Sequence, residues 1–86
     1  LDLEEDKMQK AADLLSAGRL WMEEKEYPLA EEILLEAKEL LEEKEGENLR
    51  LYRTVLAGLK RLYTRTKQVA KAEEMAQKME RLETEL

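Results

Sequence analysis

The side chains best suited to chemistry in this sequence are cations on one helical face. From Asn48 to Ala72 no acidic residue occurs, while Arg50, Arg53, Lys60, Arg61, Arg65, Lys67 and Lys71 all fall within that stretch. Arg61 and Arg65 are four apart, so on a helix they share a face and can grip a carboxylate by charge-assisted hydrogen bonds. The same pattern also suits a solvated basic surface. Residues 1–47 carry 16 acids against 6 bases, and residues 48–86 carry 9 bases against 5 acids. This division suits either the packing of a basic half beside an acidic one or an acidic partner.

Catalytic and metal chemistry find no constellation. The chain has no Cys and no His, which removes thiol chemistry, disulfides, the commonest acid–base group and the commonest metal ligand. The many carboxylates lie in helix-forming sequence without a Glu-x-x-His pair, a glycine-rich phosphate loop, a nucleophile elbow or a zinc spacing. No enzyme, cofactor or metal is therefore expected. A net charge of −6 disfavours nucleic acid as the main partner. No apolar run reaches the ~18 residues that would span a bilayer, and no signal-peptide pattern opens the chain, so a natural protein of this kind is expected in the cytoplasm.

The elements that position the cations are read from an internal repeat. With an offset of 42 residues, Leu14 falls on Leu56, Leu20 on Leu62, Trp21 on Tyr63, Ala30 on Ala72, Glu31 on Glu73, Ile33 on Met75 and Leu40 on Leu82. Four helices are expected in one domain of 86 residues. The first is read at 3–26, opening on a capping-box-like Asp2 and Glu5 and carrying Met8, Ala11, Leu14, Leu15, Gly18, Trp21 and Met22 at helical period. Tyr27-Pro28 breaks it, and a second helix follows at 28–44 with Ala30, Ile33, Leu34, Ala37, Leu40 and Leu41. Gly46 is a stop and Asn48 a cap for a third helix at 49–66, whose two apolar rows are Tyr52, Leu56, Leu59, Tyr63 and Leu51, Val55, Gly58, Leu62. The fourth is read at 68–85. Its boundary at Thr66-Lys67-Gln68 is set by the repeat alone, because the matching place is the Lys25–Pro28 turn. Only three residues are Val or Ile, and strands would need many.

Leu14-x2-Ala17-Gly18-x2-Trp21 on the first helix and Ala30-x3-Leu34-x2-Ala37 on the second resemble the tetratricopeptide repeat. The second half is looser: Leu56-x2-Leu59-Lys60-x2-Tyr63 has lysine for the glycine, and Ala72-x3-Ala76-x2-Met79 exchanges large and small. A 42-residue spacing is similar to the longer, kinesin-light-chain type of the family. The resemblance implies an all-α fold of two stacked helix-turn-helix hairpins, four antiparallel helices in all, with repeat 1 at about 3–44 and repeat 2 at about 49–85. It further implies a non-enzymatic module that binds a peptide or helix of another protein in a concave face of helices 1 and 3, and the basic run suits an acidic one. That face would be lined by Leu15, Arg19 and Met22 from helix 1 and by Thr54, Ala57, Gly58, Arg61 and Arg65 from helix 3. The one asparagine, Asn48, lies outside it, so the family's terminal-carboxylate clamp is not reproduced.

The two copies differ where an array would end. Asp13 stands where the second half has Val55, and Lys71, Gln77 and Glu83 stand where the first half has Leu29, Leu35 and Leu41. Polar end faces of this kind close a repeat array; Leu20 keeps its apolar character against that trend. Trp21 and Tyr63 read as core aromatics, and the seven-residue row Met8, Leu15, Met22 as core, a partner-helix seam or a dimer contact. Rival readings are a central-axis four-helix bundle and, given the Glu/Leu/Ala/Lys-rich composition, a designed scaffold or self-assembling homodimer.

Overall fold

The computed structural model describes residues 3–43 and 48–85, with side chains from 6 to 43 and from 48 to 82. It has four helices: α1 (Leu3–Glu23), α2 (Tyr27–Glu43), α3 (Leu49–Arg65) and α4 (Val69–Glu85). No strand occurs among the described residues. The caps expected at Asp2 and Gly46 and the side chain of Glu83 lie outside them. Asn48 is the N-cap of α3, its side-chain oxygen accepting from the Leu51 N–H at 3.1 Å.

Both hairpin turns are built alike, 42 residues apart. In the first, Glu26 N–H reaches back to Trp21 O at 2.9 Å and Lys25 N–H to Met22 O at 3.0 Å. In the second, Gln68 N–H reaches Tyr63 O at 2.8 Å and Lys67 N–H reaches Thr64 O at 3.2 Å. These are Schellman closures, which place one residue in the left-handed region: Lys25 at φ 61° and Lys67 at φ 62°. Glycine holds that conformation without a Cβ clash. Lys25→Gly and Lys67→Gly should each stabilise the chain by up to about 1 kcal/mol, read as a higher urea midpoint with an unchanged slope.

Helix α1 packs on α2 and α3 on α4, while α3 also lies against α2 and, more narrowly, α1. The backbones of α1 and α4 do not approach closely among the described residues, as a bundle around one axis would require. The extents, 40 × 30 × 14 Å, describe a flat slab. The architecture is all-α, two helical hairpins laid side by side.

One residue joins them. Leu34 of α2 is fully buried and reaches both α1 and α3 at glycines. A Cβ placed on Gly18 would stand 2.8 Å from Leu34 Cγ and 2.7 Å from Cδ2, whereas one placed on Gly58 would stand 3.7 Å from Leu34 Cδ1. Gly18 is thus where α1 and α2 meet too closely for any side chain. Around Leu34 the core gathers Ala11, Leu15, Met22, Ala37, Leu41, Val55, Leu56, Leu59, Leu62 and Tyr63.

The α2–α3 seam is pinned by two tyrosine–carboxylate pairs. Tyr52 Oη donates to Glu42 Oε2 at 2.6 Å, and Glu31 lies beside the Tyr63 hydroxyl. Tyrosines and glutamates are each 11 residues apart, about three helical turns, so one antiparallel register satisfies both. From α4, Lys78 approaches Glu42 at 3.6 Å, and Lys71 approaches Glu31 at 4.0 Å while lying 5.5 Å from the centre of the Tyr63 ring. Burial, then the carboxylate partner, holds both phenols well above their usual 10. Burial pushes Glu42 up, but the Tyr52 hydrogen bond and Lys38 and Lys78 outweigh it, leaving it below its usual 4.5.

These shifts have opposite pH signs. A carboxylate lowered in the folded state stabilises above pH 4.5 and loses that contribution as pH falls through its folded value. Phenols raised in the folded state stabilise below pH 10 and lose that contribution as pH climbs through theirs. Tyr52→Phe should cost about 1 kcal/mol at neutral pH, the low end for a bond to a charged group because Glu42 is partly solvated. It should also flatten the acid limb of stability against pH, measured by urea melts.

Candidate functional site

Beside the apolar rows of α3 lies an open depression of about 490 Å³ between α3 and α1, and of those rows only Gly58 lines it. Arg19 and Glu23 come from α1, one turn apart on the side of the helix away from its contact with α2. Thr54, Ala57, Gly58, Arg61 and Arg65 come from α3 at the spacing that keeps them on one face. Ala57 and Gly58 project almost nothing, so the middle of the α3 wall is low and the arginines stand at its ends.

Seven of the eight residues expected there do line the depression: Arg19, Met22, Thr54, Ala57, Gly58, Arg61 and Arg65. Leu15 does not. It is 7% exposed and lies in the core, because its position on α1 is set by packing on α2 rather than by the groove. Met22 is equally buried and contributes only the floor. The row of Met8, Leu15 and Met22 is therefore core, with Met8 half-buried against it. Trp21 is not a core aromatic either: it is 39% exposed, whereas its counterpart Tyr63 has α2 beside it and is 3% exposed. Leu29, expected to be buried between repeats, is 37% exposed, whereas Leu41 is buried and Leu35 partly so. Asp13, Lys71 and Gln77 are exposed, and Lys71, read as part of an outward end face, instead lies against Glu31 of α2 and the Tyr63 ring.

Three lining residues were not foreseen. Arg53 sits beside Thr54, four positions before Ala57 and eight before Arg61, a helical spacing already visible in the basic run. Glu23 stands four residues after Arg19. Met79 enters from α4, and no pattern in the sequence distinguishes it from the other core positions of that helix.

The electrostatics of the depression are one-sided. Four arginines line it against one carboxylate, Glu23. Several lysines elsewhere are paired, Lys7 with Glu43 at 3.1 Å, Lys10 with Glu36 at 3.6 Å and Lys38 with Glu42 at 3.3 Å. Arg19, Arg61 and Arg65 make no ion pair among the described residues. Thr54 spends its hydroxyl proton on its own helix, on Arg50 O at 2.9 Å, and offers the groove only lone pairs. No group of His, Cys, Asp or Glu able to hold a metal ion occurs among the described residues, and no helix there is long and apolar enough to cross a membrane.

Comparison with family models, with curated proteins and with solved structures finds no match to this chain. The functional reading accordingly rests on the groove itself.

Proposed function

We propose that the chain is a non-enzymatic binding module whose α1–α3 groove receives an acidic peptide or helix of another protein, in the manner of the tetratricopeptide repeats it resembles. The observation that carries this reading is the concentration of Arg19, Arg61 and Arg65, without ion-pair partners among the described residues, around a low floor of Ala57 and Gly58. Arginine suits the task, since its planar fork meets a carboxylate with two parallel hydrogen bonds. Met22 and Met79 give the groove an adaptable apolar base against which an aliphatic side chain of the ligand can rest. Binding, not catalysis, is what such a site supports, because nothing in it offers a nucleophile or a matched acid and base.

The test is a titration of isotope-labelled protein with acidic peptides, followed by amide chemical shifts. Shift changes should map to α1 and α3 around the groove, weaken as salt rises, and fall in affinity by about tenfold or more in the Arg61→Glu, Arg65→Glu double variant. Changes scattered over the outer faces of α2 and α4, or none, would reduce the arginines to solvated surface.

A further inference from the structure

A second surface lies on the other side of α1. Its stripe runs Lys10, Asp13, Leu14, Ala17, Leu20, Trp21 and Glu24, at steps of three and one, beside the stripe of Ala11, Leu15, Gly18 and Met22 that belongs to the core. Leu20 is 62% exposed and Trp21 39%; their counterparts on α3, which packs between α2 and α4, are Leu62 and Tyr63, 1% and 3% exposed. The same kind of surface thus occurs twice, once covered and once open.

We infer that the open stripe pairs with the same stripe of a second copy, antiparallel and centred on Ala17. The second hairpin offers no comparable stripe among the described residues: its hollow between α3 and α4 is lined by Lys60, Glu73, Gln77 and Glu80 around Ala76 and Met79, and Val69, at the start of α4, is its one exposed large apolar side chain. Head-to-tail stacking would press Leu20 and Trp21 against charge, whereas pairing like with like leaves both polar ends outward and closes the assembly. The stripe is also self-complementary. Antiparallel about Ala17, Lys10 faces Glu24 of the second copy, Leu14 faces its Leu20, and Asp13 faces its Trp21, whose indole N–H donates and needs an acceptor. A parallel arrangement would instead set Asp13 on Asp13. Ala17 at the axis lets the helices approach, and the solvated Lys10–Glu36 pair holds Lys10 only weakly.

The exposed parts of Leu20 and Trp21 amount to a few hundred Å² at most, below the ~800 Å² per partner of a standard interface. The dimer is therefore weak and concentration-dependent. It leaves the arginine groove open, since Arg19 and Glu23 lie off the stripe.

Sedimentation equilibrium from micromolar to millimolar chain, with the emission of Trp21 (the one tryptophan) recorded in parallel, tests this. A monomer–dimer equilibrium with a blue shift on association is expected. Leu20→Glu, at an exposed position that leaves the melting temperature nearly unchanged, should weaken it at least about tenfold. Lys10→Glu and Glu24→Lys should each weaken it, and the two together restore it, which fixes the antiparallel register. A chain that stays monomeric throughout, a dimer indifferent to Leu20→Glu, or charge reversals without mutual rescue would each overturn the proposal.

Discussion

Leu34→Ala should destabilise the protein by about 4 kcal/mol, toward the upper end of the 2–5 kcal/mol range for such truncations. Leu34 is fully buried, and it is the side chain that touches both hairpins, facing Gly18 of α1 and Gly58 of α3. A leucine in an ordinary core position leaves a cavity that neighbours on two sides can partly fill. Here two of the walls are glycine backbone, with no side chains to relax inward, so the cavity should persist. A small domain has only a modest stability to lose. A urea melt of Leu34→Ala should therefore show a large drop in midpoint. A loss below about 2 kcal/mol would mean the hairpins do not meet at Leu34 as described.

The glycines should respond in opposite directions, the second large effect. Gly58→Ala adds a methyl at ordinary contact distance, 3.7 Å from Leu34 Cδ1, and should gain up to about 1 kcal/mol from helix propensity and a less flexible unfolded chain. Gly18→Ala receives the same intrinsic benefit, but its methyl would meet Leu34 Cγ at 2.8 Å. Cγ is the branch point of the side chain, and Leu34 is packed on every side, so it cannot turn aside at small cost. Overpacking of about 1–3 kcal/mol should outweigh the gain, making Gly18→Ala destabilising by up to about 2 kcal/mol. The two substitutions differ in nothing but place, which makes their contrast in thermal melts a direct check. Combining Gly18→Ala with Leu34→Ala should remove the clash and give less destabilisation than the two single losses together. Strict additivity would refute the contact.

How much of this was legible in the residues follows from where each constraint acts. Helix positions were readable because Pro28 and Asn48 signal locally and the 42-residue echo supplied the one break, at Thr66–Gln68, that has no local signal. The left-handed lysines were not: Lys25 and Lys67 are unfavourable there, and only the closing hydrogen bonds reveal the conformation. Most of the groove was readable because Arg19, Thr54, Ala57, Gly58, Arg61 and Arg65 follow helical spacing on two helices whose relative placement the repeat implies. Leu15 was misplaced because one apolar residue can serve either of two adjacent helix faces, and packing on α2 decides between them. Trp21 was misplaced for a different reason. Equivalence of position between repeats is not equivalence of environment: Tyr63 has α2 against it and is 3% exposed, whereas Trp21 is 39% exposed.

Every described helix touches chiefly the one before or after it in the chain, and the helix pairing most distant in sequence, α1 with α3, skips a single helix. Little chain entropy must be spent before contacts begin to repay it, so the topology belongs to the fast-folding class, with relaxation on the microsecond-to-millisecond scale. The same arrangement carries a mechanical consequence: a force applied to the two ends meets no strand ladder and no element bridging α1 to α4, and the slab should peel from its ends at low load.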